Sequence, residues 1–168
     1  MHTLAALTIA LATGAASAEP AAITSTYTKL DLDRCEVLDN GETPQSMEWR
    51  CGGHGGIALF VQNGDDRYDI DAGMQDEDAL WADTFDYPGD TVEWRLHADK
   101  PFAIIYRLKS ANPDHPATSS LVVETVGKDG KRGCRVAKID GASPEANVLA
   151  RKAADALLTG PAACLKPE

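Results

Sequence analysis

Between residues 91 and 110 apolar and polar positions alternate in two runs. Val92, Trp94 and Leu96 alternate with Glu93, Arg95 and His97, and Phe102, Ile104, Tyr106 and Leu108 alternate with Ala103, Ile105, Arg107 and Lys109. A period of two gives each strand one apolar face. A short turn at Ala98-Asp99-Lys100 joins the runs into a hairpin, with Leu96 opposite Phe102, Trp94 opposite Ile104 and Val92 opposite Tyr106. A slip of one residue would mix these side chains with charges, so the pattern selects the register.

The rest of the chain is arranged around this hairpin. Residues 19–25 read as a small-residue lead that frays. Residues 27–32 alternate as a first strand, with Thr28, Leu30 and Leu32 on one face. Gly41 and Pro44 mark 39–46 as loop, and 47–51 is a short strand. The run Gly52-Gly53-His54-Gly55-Gly56 is a connector to a strand over 57–62. Asn63-Gly64 predicts a type I′ turn and a return strand over 67–70. One or two helical turns are expected over 75–82, with Ala79, Leu80 and Trp81 inward, and Pro88-Gly89 closes that segment. Pro113 and Pro116 predict a loop, and 121–126 with 134–139 form a second hairpin around Lys128-Asp129-Gly130. A single helix follows: Ser143 caps it, Pro144 suits its first position and Glu145 suits the positive end of its dipole. Leu149, Ala153, Ala156 and Leu157 make its apolar stripe, Arg151 and Asp155 face solvent, and Gly160 and Pro161 end it. The fold class is α+β: an antiparallel meander of about seven or eight strands with one C-terminal helix across a face. Trp94 then lies in the core between sheet and helix, and Glu93 on the far face.

The first residues change the picture of where this fold works. Residues 4–16 are apolar and small, and Ala16-Ser17-Ala18 supplies the A-x-A pattern of a signal-peptide cleavage site before Glu19. The apolar stretch is too short to span a bilayer. Residues 1–18 are therefore expected to be a signal peptide, 19–168 a single domain, and the product periplasmic or secreted with no membrane anchor after cleavage. The net charge of −10 belongs entirely to 19–168. Such acidity repels phosphates and anionic lipid heads, excludes nucleic acid as the expected partner, and suits a basic protein or simply solubility. Four cysteines, Cys35, Cys51, Cys134 and Cys164, remain in the exported part. An even count there predicts two disulfides, and the absence of close-set pairs argues against zinc. Pairing Cys35 with Cys51 and Cys134 with Cys164 closes one loop at each end of the chain, holding 47–51 to the first strand and the helix end to 134–139.

Several stretches together resemble an uncharacterised family of small exported proteins of alphaproteobacteria. They are YTKLDLDRC at 27–35, WRCGG at 49–53, GDDR at 64–67, VEWRL at 92–96 with PFAI at 101–104, CRVA at 134–137, and the Ala146-Asn147, Ala150-Arg151 and Ala154-Asp155 pairs of the helix. The resemblance spans nearly all of 19–168. It implies a compartment and a domain boundary and carries no catalytic residue.

Candidate chemistry is sparse. His54, between paired glycines, can be presented to a metal or substrate, yet no second histidine stands nearby, and a turn with an incidental histidine is the favoured account. Asp65, Asp66, Asp69, Asp71, Asp76, Glu77 and Asp78 form an acidic cluster without the spacing of a calcium loop, and are expected to be a solvated face. Glu93, Arg95 and Arg107 share the second face of the central hairpin, where cross-strand ion pairing or, with Arg67 or His54, a recognition patch would place them. Glu-Trp-Arg occurs at both 48–50 and 93–95, but the flanks do not repeat. No G-x-S-x-G, H-E-x-x-H, P-loop or C-x-x-C motif occurs. The leading reading is a non-enzymatic exported binding domain without a cofactor or metal, with His54, Asp66, Arg67, Glu93, Arg95 and Arg107 as candidate binding residues. A disulfide-clipped acidic β domain suits an inhibitor of a basic cell-wall hydrolase such as lysozyme, and Gly64-Asp65-Asp66-Arg67-Tyr68 resembles the Ser-Gly-x-x-Tyr loop of C-type lysozyme inhibitors, although Asp65 answers to no residue there. The alternative is a periplasmic hydrolase with a scattered site, using His54 as base and Asp66 to orient it.

Overall fold

The computed structural model describes residues 21–39, 46–75, 85–112, 114 and 118–166. The signal peptide expected over 1–18, most of the loop expected over 39–46, nearly all of the helical turns expected over 75–82, and Pro113 and Pro116 lie outside these residues. Nine strands form two antiparallel sheets. In chain order they are β1 (Ile23–Lys29), β2 (Glu36–Asp39), β3 (Ser46–Cys51), β4 (Leu59–Gly64), β5 (Arg67–Ala72), β6 (Asp86–His97), β7 (Lys100–Ser110), β8 (Ser119–Thr125) and β9 (Arg135–Asp140), followed by helix α1 (Ala146–Asp155). One sheet has the order β1-β6-β7-β8-β9 and the other β2-β3-β4-β5. The α+β class with one C-terminal helix holds, but the expected single meander is divided into two layers.

The central hairpin is β6–β7. Trp94 pairs with Ile104 and Val92 with Tyr106, as the alternation requires. Leu96, however, faces Pro101 rather than Phe102. The connection is the two-residue turn Ala98-Asp99, both with positive φ, and a register shift after Arg95 absorbs Phe102. Pro88 and Gly89 do not end the preceding segment. They lie inside β6, next to a second register shift between Pro88 and Val92, where a missing N–H is tolerated. The β4–β5 turn likewise falls at Asp65-Asp66, with Gly64 paired to Arg67, instead of at Asn63-Gly64.

Trp94 is fully buried, but not under the helix. With Val92, Leu96, Ile104, Tyr106 and Leu108 it packs against Trp49, Leu59, Val61 and Ile70 of the four-stranded sheet. The two Glu-Trp-Arg copies thus place one tryptophan on each side of the inter-sheet core. The helix covers the opposite face of the five-stranded sheet, where Ala103, Ile105, Leu121 and Val123 meet Ala146, Ala150 and Ala154. Alanines four residues apart on one stripe let backbone approach sheet closely. The buried stripe is therefore rotated from the expected one: Leu149 is 41% exposed, while Ala153 and Leu157 pack at its border. Ser143 stands two residues before the N-cap, Glu145, accepting the Glu145 N–H on its hydroxyl and the Ala146 N–H on its carbonyl.

The chain ends differ in detail from expectation. Residues 23–25 do not fray, because they pair with Arg95, Leu96 and His97 of β6. Both disulfides join the expected partners, Cys35–Cys51 and Cys134–Cys164. The first ties β3 to the start of β2, its hydrogen-bonded neighbour, rather than to β1, which lies in the other sheet. The second clips the segment after α1 to the start of β9, where the Leu165 N–H also donates to the Arg135 carbonyl. Such disulfides belong to an oxidising, non-cytoplasmic compartment. Among the described residues no helix is long and apolar enough to cross a membrane.

Candidate functional site

Covering the second face of β6–β7 with a helix changes what Glu93 and Arg95 are. They stand on one face of β6, two residues apart, and are buried. Arg151 and Asp155, four apart on α1, reach down to them instead of facing solvent. Arg151 donates from Nε to Glu93 Oε1 at 2.7 Å and from Nη2 to Oε2 at 3.1 Å. Arg95 donates from Nε to Asp155 Oδ1 at 2.9 Å and from Nη2 to Oδ2 at 2.7 Å. Ser25 of β1 bridges the pairs, donating to Glu93 and accepting from Arg95. The ion pairs thus run from sheet to helix, and not across the strands to Arg107.

Arg107 lies on the same face of β7, toward the other end of the helix. Its Nη1 donates to Ser119 Oγ at 2.7 Å and to the Gly141 carbonyl at 3.4 Å, both neutral acceptors. A Cβ on Gly141 would stand 2.4 Å from that nitrogen, so glycine is required for the approach. Beside Arg107 opens a cleft of about 210 Å³ between the five-stranded sheet and the start of α1. Ile105 and Leu121, both buried, form its apolar floor, and Tyr27, Lys109 and Asn147 are on its walls with Arg107. Glu93 lines one end, already held by Arg151. Asp90 at the rim pairs with Lys29 at 2.6 Å, and that hydrogen bond holds its carboxyl below the usual range.

The other candidates are elsewhere. His54 sits in an exposed turn with its ring tilted over Trp94, centroids 6.1 Å apart. No hydrogen bond joins it to a carboxylate among the described residues. Asp66 lies beyond the far end of β4, beside Asp86, whose N–H donates to its carbonyl. Trp94 and Asp86 are eight residues apart along β6, so His54 and Asp66 are separated by roughly 20 Å or more. The hydrolase site suggested by sequence is not assembled. Arg67 stacks on Phe85 at 4.9 Å and pairs with Asp65 at 2.9 Å, away from Glu93, Arg95 and Arg107.

The acidic cluster is not a uniformly solvated face. Asp65 and Asp66 are exposed, but Asp69 and Asp71 are buried, and Asp76, Glu77 and Asp78 lie outside the described residues. Asp69 joins a buried network that the sequence reading missed. The Tyr106 hydroxyl lies 2.8 Å from Glu124 Oε1 and 3.2 Å from Asp69 Oδ1. Arg135 donates to Glu124 from Nε at 3.3 Å, and from Nη2 to the Tyr106 oxygen at 3.1 Å and to Asp69. Burial first, then the Asp69 charge, pushes the Glu124 carboxyl well above its ordinary range, and burial does the same to the Tyr106 phenol. A glutamate at the end of the apolar run Leu121-Val122-Val123 was the available signal. Among the described residues no group of three or more His, Cys, Asp or Glu side chains is placed to hold a metal ion.

No protein-family model matches this chain, and neither does any curated protein or solved structure.

Proposed function

We propose that this chain is an exported, non-enzymatic binding domain of the periplasm or cell exterior, and that its ligand seat is the cleft between β6–β7 and α1. The observation that carries the reading is the contrast on one sheet face. Glu93, Arg95, Arg151 and Asp155 saturate one another, while the adjoining cleft offers an apolar floor and polar walls, the usual composition of a small-ligand site. The A-x-A motif before Glu19 and the two disulfides support export, as does the resemblance to small exported alphaproteobacterial proteins.

A second reading follows from the β4–β5 turn. Asp65 and Asp66 project there on an exposed tip, and with a net charge of −10 they suit a basic cell-wall protein as partner. One experiment separates the two. The ¹⁵N-labelled chain 19–168 is titrated with small molecules extracted from the host periplasm and, separately, with lysozyme. Amide shifts confined to Thr91, Lys109 and Asn147 with the extract support the cleft. Shifts at Asp65 and Asp66 with lysozyme, together with loss of wall hydrolysis, support the partner reading. Catalytic turnover of extract components would sink the binding-domain assignment.

A further inference from the structure

We infer that the cleft beside α1 takes a small organic carboxylate, gripped by the side-on fork of Arg107, with its apolar part on Ile105 and Leu121. This rests on the cleft being the ligand seat and adds the ligand's chemical class. Three arginines, Arg95 and Arg107 of the sheet and Arg151 of α1, stand between this sheet face and the helix, two of them holding carboxylates in the same way. Arg151 grips Glu93, and Arg95 grips Asp155, each through the parallel N–H groups of Nε and Nη2. That fork matches the spacing of two carboxylate oxygens. Arg107 is anchored from its other nitrogen alone, Nη1, by Ser119 and Gly141. Its Nε and Nη2 have no acceptor, and its charge no carboxylate partner, among the described residues. The anchoring hydrogen bonds fix the guanidinium plane and so orient the fork in advance.

The surroundings favour an anion with an apolar body. Lys109 lines the same cleft and also forms no ion pair among the described residues; its ammonium lies 5.9 Å from the centre of the Tyr87 ring. Arg107 and Lys109 thus bring two cations to the cleft, while of its two carboxylates Asp90 pairs with Lys29 and also feels the Lys109 charge, and Glu93 is held by Arg151. The floor of Ile105 and Leu121 offers no hydrogen bond to a polyol or a phosphate's remaining oxygens, but suits a ring or short chain. A volume of about 210 Å³ sets the scale of the ligand at a small aromatic or short-chain acid.

The test uses three probes of one shape: benzoate, benzamide and benzylammonium, each titrated into ¹⁵N-labelled 19–168. Benzoate is expected to shift the Thr91, Lys109 and Asn147 amides, with benzamide and benzylammonium at least tenfold weaker. Arg107→Gln should weaken benzoate at least tenfold. Lys109→Glu, at an exposed position, should weaken it several-fold and keeps the test decisive if Arg107→Gln fails to fold. Equal or tighter binding of benzamide or benzylammonium at these amides would overturn the carboxylate assignment and leave the cleft as a ligand seat. Failure of benzoate, hexanoate and succinate at 10 mM (about the weakest useful affinity) to move any cleft amide would overturn the inference, while extract-induced shifts at those amides would still uphold the seat.

Discussion

Arg151 on the helix and Glu93 on the central strand form a two-point ion pair, Nε to Oε1 at 2.7 Å and Nη2 to Oε2 at 3.1 Å. Glu93 is only 8% exposed, so the contact is not an ordinary surface pair. Its partner is half open to water, which limits the desolvation the pair must offset. Together with Arg95 and Asp155 it fixes the rotation of α1 on the sheet. That rotation places Asn147 over the cleft and leaves Leu149 outside.

Glu93→Ala should therefore cost about 2 kcal/mol in urea unfolding, the scale for losing hydrogen bonds to a charged group. A double-mutant cycle with Arg151→Ala should give a coupling of about 1 kcal/mol or more. A coupling near the few tenths typical of exposed pairs would show that the helix is held by its alanines alone.

Trp94→Ala should cost about 3–5 kcal/mol, since a fully buried indole leaves a cavity between the sheets and its Nε1 donates to Thr28 Oγ1 at 2.8 Å. Gly53→Ala tests the same packing from the other side. An added Cβ would lie 2.2 Å from the Ile57 carbonyl oxygen and 2.7 Å from the Trp94 ring, so the variant should melt lower than the parent. An unchanged melting temperature for Gly53→Ala would mean that the glycine-rich connector does not close on Trp94.

The pairing of β6 with β7 was legible because a period of two fixes both face and register, and Val92, Trp94, Ile104 and Tyr106 all obey it. The covered second face was legible only in part. Glu93, Arg95 and Arg107 read as a solvent face, yet Ala103-Ile104-Ile105 and Leu121-Val122-Val123 are continuous apolar runs, the mark of strands covered on both sides. The helix stripe was misplaced because alanines on several sides give little contrast between faces. Glu36-Val37-Leu38-Asp39 has no alternation at all, so β2 could not be read. Arg107 could be named as a candidate, but the direction of its fork depends on Ser119 and Gly141, remote in sequence and brought close only by β7–β8 pairing and the turn after β9.

Ala98 has φ 49° and Asp99 φ 61°, a left-handed pair in which alanine has no compensating side-chain hydrogen bond. Such a conformation costs an L-residue with a Cβ roughly 1 kcal/mol. Ala98→Gly should raise stability by about 0.5 kcal/mol after the added freedom of the unfolded chain is counted. A fall in the denaturation midpoint would show that the turn is not of this type in solution.

Asp86 sets the last expectation. It is 4% exposed, at the start of β6, and its Oδ1 accepts the Tyr68 N–H at 3.2 Å. Burial raises its carboxyl from 3.8 to about 6, opposed by the Tyr68 hydrogen bond and by the charges of Lys138 and Arg135. Because the folded value stands above the unfolded one, the folded chain binds this proton more tightly. Stability from this group is therefore full below about pH 4 and is lost as pH rises through 6. The loss amounts to about 3 kcal/mol, at roughly 1.4 kcal/mol per pH unit between the two values. Asp86→Asn keeps an acceptor for Tyr68 and removes the charge. Urea unfolding of parent and variant at pH 4 and pH 8 should show little difference at the acid end and a variant more stable by about 1–3 kcal/mol at the alkaline end. A variant less stable at pH 8 would mean that the ionised carboxylate is compensated, with Lys138 and Arg135 outweighing its burial.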